Sequence, residues 1–206
     1  MEKVMVTNRI EDKAICLKEG EKLTYVVLAD RGFERRHHLK FELKGKNAEL
    51  IFFGFIIGIK SENFNFDTTV THTAPEGKSK MIVKSALFGR SMVDYKGNII
   101  IEKKAQLSDA YLAHKTLLLS DQAKAHTVPA LEIKADDVKV SHAAAVSSPD
   151  SSSLFYLMSR GIPREQAKKI LIKAFFDDLA SQITDKNSRT RAQDFISRLL
   201  MHGEDL

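Results

Sequence analysis

The chain of 206 residues has one cysteine, Cys16, and no tryptophan. A single thiol excludes an internal disulfide and any cysteine-rich metal site built from one chain. Long apolar runs are also missing. The longest, residues 50–59, is broken by Gly54 and Gly58 and is about half the length that crosses a bilayer, so no membrane span is expected. Residues 1–10 carry no long apolar region, which argues against a secretory leader and for a cytoplasmic address. Charge is not concentrated either. The net charge is +5, yet residues 1–150 hold 23 basic and 20 acidic side chains and residues 151–206 hold 9 and 7, so no basic footprint for nucleic acid emerges. No nucleophile motif, phosphate-binding loop or dinucleotide fingerprint is present.

What the chain does have is a long succession of short extended segments. Residues 23–28 and 37–43 read as strands, the second alternating Leu39, Phe41 and Leu43 with His38, Lys40 and Glu42 in a half-buried pattern. Residues 48–59 are too apolar to have a wet face, so both faces should be covered. Further candidates are residues 64–72, 81–88, 91–95, 98–102, 116–119, 130–133 and 138–140, with turns such as Pro75-Glu-Gly77 and Lys96-Gly97 between them. Residues 1–20 are polar with scattered apolar positions and suggest no role. No helical period of useful length precedes Leu154, so the first 150 residues should be all-β. A sandwich, a barrel and a stacked solenoid all fit this pattern, and no exact repeat chooses among them.

The grammar changes at about residue 150. The Ser151-Ser152-Ser153 run offers hydroxyls to cap a short helix over 154–159 that Gly161 would end. Pro163 should open a second helix with Ala167, Ile170, Leu171, Ala174 and Phe175 on its apolar stripe. A third, over 188–201, would carry Ala192, Phe195, Ile196, Leu199 and Leu200, with Gly203 just past its end. These stripes must pack on one another, on the β part or on a partner. The expected division is 1–150 for the β core and 151–206 for a helical subdomain.

Across that junction lie Asp136-Asp-Val-Lys-Val-Ser-His142, a run of small residues, Leu154-Phe-Tyr-Leu-Met-Ser-Arg-Gly-Ile162 and Glu165-Gln-Ala167. Upstream, in order, come Phe88-Gly-Arg90, Gly97-Asn-Ile99, Ala105-Gln106, Asp109-Ala-Tyr111, Leu117-Leu-Leu-Ser120 and Thr127-Val-Pro-Ala-Leu-Glu-Ile133. Together they resemble the SufB/SufD proteins of iron–sulfur cluster assembly, well over 72–176 and loosely elsewhere. The resemblance implies a right-handed parallel β-helix with interior ladders of residues such as Ile82, Leu87, Ile100, Leu118, Leu131 and Ile133. It also implies a non-enzymatic scaffold or accessory role, with a SufC-like ABC ATPase docking on the helices and a SufB-like subunit, or a second copy of the chain, as dimer partner. A transient iron–sulfur cluster would then be shared with that partner.

In this resemblance His142 falls on the histidine of the family's Cys-Ser-His or Cys-Glu-His segment, close to where two subunits meet, and is the candidate cluster-interface residue. Val140 stands where many members have cysteine. His114 stands about where SufB-type members have theirs, which makes the chain SufD-like, with any thiolate supplied by another subunit. On the residues alone, His114 is a surface or rung residue, and His72, His114, His126 and His142 are too scattered for a zinc-like ligand set. Adjacent Asp136 and Asp137 would point to opposite faces of a strand, which favours a turn role over acid–base chemistry. Two other readings remain: a structural oligomer with no cluster role, and a β-helix enzyme acting on carbohydrate.

Overall fold

The computed structural model describes residues 2–33 and 35–201. Eleven strands come first: β1 (Glu2–Thr7), β2 (Lys13–Leu17), β3 (Lys22–Ala29), β4 (His37–Leu43), β5 (Glu49–Gly58), β6 (Asn63–His72), β7 (Lys78–Leu87), β8 (Met92–Ile101), β9 (Asp109–Leu118), β10 (Lys124–Ile133) and β11 (Lys139–Ser147). Helices α1 (Ser151–Ser159), α2 (Arg164–Ala180) and α3 (Lys186–Met201) follow. Odd strands form one sheet, β1-β3-β5-β7-β9-β11, and even strands the other, β10-β8-β6-β4-β2. Every pairing is parallel. The chain therefore winds as a two-sheet solenoid of about five turns, as the resemblance implies.

Equivalent positions Lys22, Glu49, Lys78, Asp109 and Lys139 are in register but 27, 29, 31 and 30 residues apart, so the coils stack without an exact sequence repeat. One corner is built alike in successive coils. Gly20, Asn47, Glu76 and Leu107 all have left-handed φ, at 65°, 57°, 61° and 60°. Each donates its N–H to a carbonyl of the next coil: to Lys46, Pro75, Gln106 and Asp137 respectively. The stacked hydrogen bonds fix a conformation that costs a side chain with a Cβ roughly 1–2 kcal/mol. Leu107 is the least suited occupant, apolar and 57% exposed. Leu107→Gly should raise the melting temperature by about 2–4 °C, since relief of the left-handed strain outweighs the extra unfolded-chain entropy by up to about 1 kcal/mol. A lowered melting temperature would show that the corner is not strained.

Inside the coils the pleat turns alternate residues inward, where Tyr25, Phe41, Phe52, Phe64, Phe66, Val70, Met81, Ile99 and Leu112 form one continuous apolar core. A column in register runs Tyr25, Phe52, Met81, Leu112. Of the expected rungs, Leu87, Leu118 and Leu131 line this core. Ile82 instead faces outward to the helices, while Ile100 and Ile133 lie on the outer face and the exposed end. The two strands expected over 91–95 and 98–102 are one, β8 (Met92–Ile101). Gly97 is an inward position, and a Cβ there would lie 2.7 Å from Leu112 Cδ2 and 2.8 Å from the Tyr95 hydroxyl. Glycine here makes room for the rung above and does not mark a turn.

The odd sheet is covered on both faces, as the composition of residues 48–59 requires. Val26, Phe53, Phe55 and Ile57 on its outer face pack against Ile172, Phe176, Leu179, Phe195 and Ile196 of α2 and α3. Within this apolar layer sits Lys84, its side chain only 5% exposed. Its ammonium donates to the Phe175 carbonyl (2.5 Å) and Asp178 Oδ2 (2.7 Å) and lies 4.8 Å from the Phe175 ring centroid. Burial pushes its pKa down and the Asp178 carboxylate opposes the shift. The stripe on α2 is Ala167, Ile172, Phe176, Leu179 and Ala180, rotated from the expected set, and Ile170 is exposed. On α3, Ala192, Phe195, Ile196 and Leu200 are buried as expected, while the Leu199 side chain and Gly203 lie outside the described residues. The cap of α1 is Asp150, which accepts the Ser153 N–H at 2.8 Å and the hydroxyls of Ser152 and Ser153. The serines donate to the cap rather than serving as it. Those bonds hold the Asp150 pKa at about 2. Gly161, with φ 84°, ends the helix.

Candidate functional site

The solenoid ends on β10 and β11, which are the last strands of their sheets. No described strand covers the far side of either, so the inward-facing side chains of this last coil meet solvent. Pro129 falls within β10, where its missing N–H is tolerable only on an edge. No proline interrupts β11, and its residues 143–145 are alanines, so it presents a flat, low-bulk edge.

His142 lies in this edge strand, in register with Leu112. It continues the Tyr25, Phe52, Met81, Leu112 column, so an apolar interior column ends on an imidazole at the open end of the stack. Its side chain is exposed, and no described residue hydrogen-bonds it. Val140, two residues earlier, is partly buried against the interior core. Two residues on, Ala144 pairs with His114 of the preceding coil.

His114 is a rung residue, as one of the two sequence readings has it. It is buried, with Nδ1 2.7 Å from Thr127 Oγ1 and Nε2 2.9 Å from Ser85 Oγ and 3.2 Å from Thr116 Oγ1. Its ring meets that of Tyr95 edge-on at 5.0 Å, and the Tyr95 hydroxyl is 2.6 Å from Thr68 Oγ1. Burial depresses the imidazole pKa to about 3, so it is neutral throughout the physiological range. Thr127 belongs to the last coil, so this polar cluster reaches from the core to the layer beneath the open end.

The other histidines lie elsewhere. His72 is buried in the even sheet, with Nε2 2.8 Å from Ser79 Oγ and Nδ1 without a partner. Burial lowers its pKa to about 4. His126 is exposed on the outer face of the even sheet, 3.1 Å from Asp94 Oδ1. Among the described residues no group of three or more histidine, cysteine or acidic side chains is placed to hold a metal ion. Cys16 is on β2, at the opposite edge of the even sheet, 3.5 Å from Glu42 Oε2. Four strand spacings separate β2 from β10, roughly 19 Å along the stack. The chain's own thiol therefore does not reach His142.

A charged chain on the outer face of the even sheet escaped the sequence reading. Arg36 bridges Asp67 and Asp94, with Nη2 2.5 Å from Asp94 Oδ2, and His38 and His126 flank the two carboxylates. Asp94 feels its burial first, yet the hydrogen bonds from Arg36 and His126 carry its pKa below the usual carboxylate value. A glycosidic acid needs the opposite shift, so this pair is an ionic ladder rather than an acid and a base. Asp136 and Asp137 occupy the turn before β11. The Asp137 N–H donates to Gln106 Oε1 (3.0 Å) and its carbonyl accepts from Leu107 (2.6 Å).

Comparison with known proteins shows the family. Residues 6–175 match the family model described as the SufBD core domain of the SUF system for FeS cluster assembly. The chain is 30% identical over 168 residues to the iron–sulfur cluster assembly protein SufD of Escherichia coli, covering 82% of this chain and 40% of that protein. It is 32% identical over 162 residues to an iron–sulfur cluster assembly SufBD family protein of Mycobacterium leprae, covering 75% and 41%. With the iron–sulfur cluster assembly protein SufB of Bacillus subtilis it shares 28% identity over 141 residues, covering 68% and 30%. The chain thus spans well under half the length of these relatives. On the family match, which extends over most of its length and takes in every strand from β2 to β11, the chain belongs to the SufB/SufD family of iron–sulfur cluster assembly proteins.

Proposed function

We propose that the chain is a SufD-like, non-enzymatic scaffold subunit that joins a SufB-like subunit through its terminal coil and an ABC-type ATPase through its helices. The observation that carries this reading is His142, an imidazole that ends an apolar column at an unpaired, proline-free strand edge. An exposed edge of this kind is a template for another strand. A partner strand laid along β11 would bring a second subunit's side chains over Val140, His142 and Ala144. A neutral imidazole there can ligate iron or donate a hydrogen bond to cluster sulfide, while thiolates come from the partner. The cluster is cargo in this scheme, assembled at the junction and passed on.

The ATPase would dock on α1. That helix buries none of its residues, and Phe155 and Tyr156 are 73% and 57% exposed. Tyr156 and Leu157 line a cleft of about 320 Å³ with Ile170 and Leu171 of α2, an apolar face of the sort that amphipathic contacts fill.

Anaerobic co-purification from cells tests the reading. The wild-type chain should recover both an ABC ATPase and a cysteine-bearing homologue. Ala144→Arg, at the exposed end of the stack, should weaken the homologue contact by roughly tenfold or more and spare the ATPase. Phe155→Asp with Tyr156→Asp should do the reverse. His142→Ala should keep both partners and lose the cluster's ultraviolet–visible absorbance. Recovery of neither partner by the wild type would leave a structural oligomer as the better description.

A further inference from the structure

The arginines of this chain are unevenly placed. Five of its ten, Arg9, Arg31, Arg35, Arg191 and Arg198, line a single cleft of about 1300 Å³, whereas none of its 22 lysines does. The cleft lies at the end of the solenoid opposite His142. Three separate elements bring the arginines together: Arg9 from the β1–β2 connection, Arg31 and Arg35 from the β3–β4 connection, and Arg191 and Arg198 from one face of α3. Buried or half-buried Ile10, Leu28, Phe33 and Phe195 form an apolar floor.

Among the described residues three carboxylates, Glu11, Asp30 and Asp194, also face the cleft, fewer than its five arginines. Asp12, just outside the lining, takes Arg35 at 2.7 Å, and Asp30 holds Arg198 only at 3.9 Å. No carboxylate among the described residues pairs with Arg9, Arg31 or Arg191, and all three side chains are exposed. A surface that needed only solubility would use lysine, the commoner cation here. The guanidinium instead offers a planar fork of donors that grips oxyanions two bonds at a time.

We infer that this cleft binds a small molecule carrying two or more phosphate groups. A cleft of about 1300 Å³ has more room than one inorganic anion fills, and its arginines stand on three separate elements, so a ligand with several anionic groups suits it better than a single ion. Unpaired guanidinium groups on three walls suit a chain of phosphates that touches each wall, and the apolar floor suits a less polar body attached to it. The site is distinct from the β11 edge and from α1, so it stands or falls apart from the assembly role.

Isothermal titration of the full chain with inorganic tripolyphosphate, at two salt concentrations, tests this. Wild type should bind with one-site stoichiometry. Arg31→Gln with Arg191→Gln should weaken binding at least tenfold, and these exposed, unpaired positions should leave the melting temperature unchanged. Arg90→Gln with Arg160→Gln removes the same charge outside the cleft and should leave affinity within twofold. No saturable binding by wild type, or equal losses in the two double variants, would overturn the inference. Citrate binding as tightly as tripolyphosphate would overturn the phosphate assignment and point to polycarboxylates.

Discussion

The chain is expected to lose roughly 4–5 kcal/mol of stability between pH 6.5 and pH 4.5, a large share of the 5–15 kcal/mol or so that holds a typical domain together. The cause is His72 and His114, both buried inside the solenoid and neutral in the fold, with pKa values lowered to about 4 and about 3. In the unfolded chain each takes a proton near pH 6.5. Above that value neither state binds the proton and stability is flat. Below it the unfolded state is protonated first, so stability falls by about 1.4 kcal/mol per pH unit for each histidine until the folded pKa is reached. Carboxylates whose pKa values the fold lowers, such as Asp94 and Asp150, lose their contribution only at lower pH. The carboxylates therefore add little between pH 6.5 and pH 4.5, and the double variant below separates the two buried imidazoles from the exposed histidines.

Urea midpoints measured across that window give the slope. His72→Gln with His114→Gln keeps a hydrogen-bonding amide near Ser79 and Ser85 but cannot titrate. This double variant should start less stable at pH 8 and show a nearly flat profile down to pH 4.5. A slope equal to that of wild type would place the acid sensitivity elsewhere.

Which parts of the structure the residues announce follows from how many constraints each position carries. Strands β4 and β6 read well because one face is wet and the alternation is clean, and β5 read well because both its faces are dry. β1 and β2 did not, since they are the first strands of their sheets with little buried surface, and a half-covered edge strand has little period to display. β8 was divided at Gly97 because a glycine chosen for a rung contact looks the same in sequence as one chosen for a turn. The corner at Pro75-Glu-Gly77 read as a turn, but the left-handed corner conformation did not show: Asn47, Glu76 and Leu107 adopt left-handed φ without glycine, held there by hydrogen bonds to the next coil. On α2, adjacent apolar residues from Ile170 to Ile172 and at Phe175 and Phe176 allow two helical phases, and only packing against Phe55 selects Ile172 and Phe176. His142 was singled out through its motif. Its place at the end of an apolar column was not, because register between coils 30 residues apart is a property of the stack.

Removing residues 151–206 should abolish the soluble solenoid as well as any partner contact. The division near residue 150 is a change in local structure, but the helical segment supplies the outer cover of the odd sheet. Truncation would strip α2 and α3 from Val26, Phe53, Phe55, Ile57, Ile82 and Ala86, leaving one contiguous apolar face on a flat sheet. Each fully buried aliphatic or aromatic side chain is worth about 1.5–3 kcal/mol, so even the four largest of these approach or exceed the usual stability of a whole domain. Lys84 would also lose the Phe175 carbonyl and Asp178, its two anchors. The truncated chain should therefore elute as aggregates or require detergent, with no cooperative melting transition. A soluble fragment with wild-type strand content by circular dichroism would show instead that the solenoid stands alone. Loss of ATPase binding by so drastic a deletion cannot locate the docking surface, whereas the α1 substitutions at Phe155 and Tyr156 can. That helix buries nothing, so its surface can be changed without uncovering the sheet.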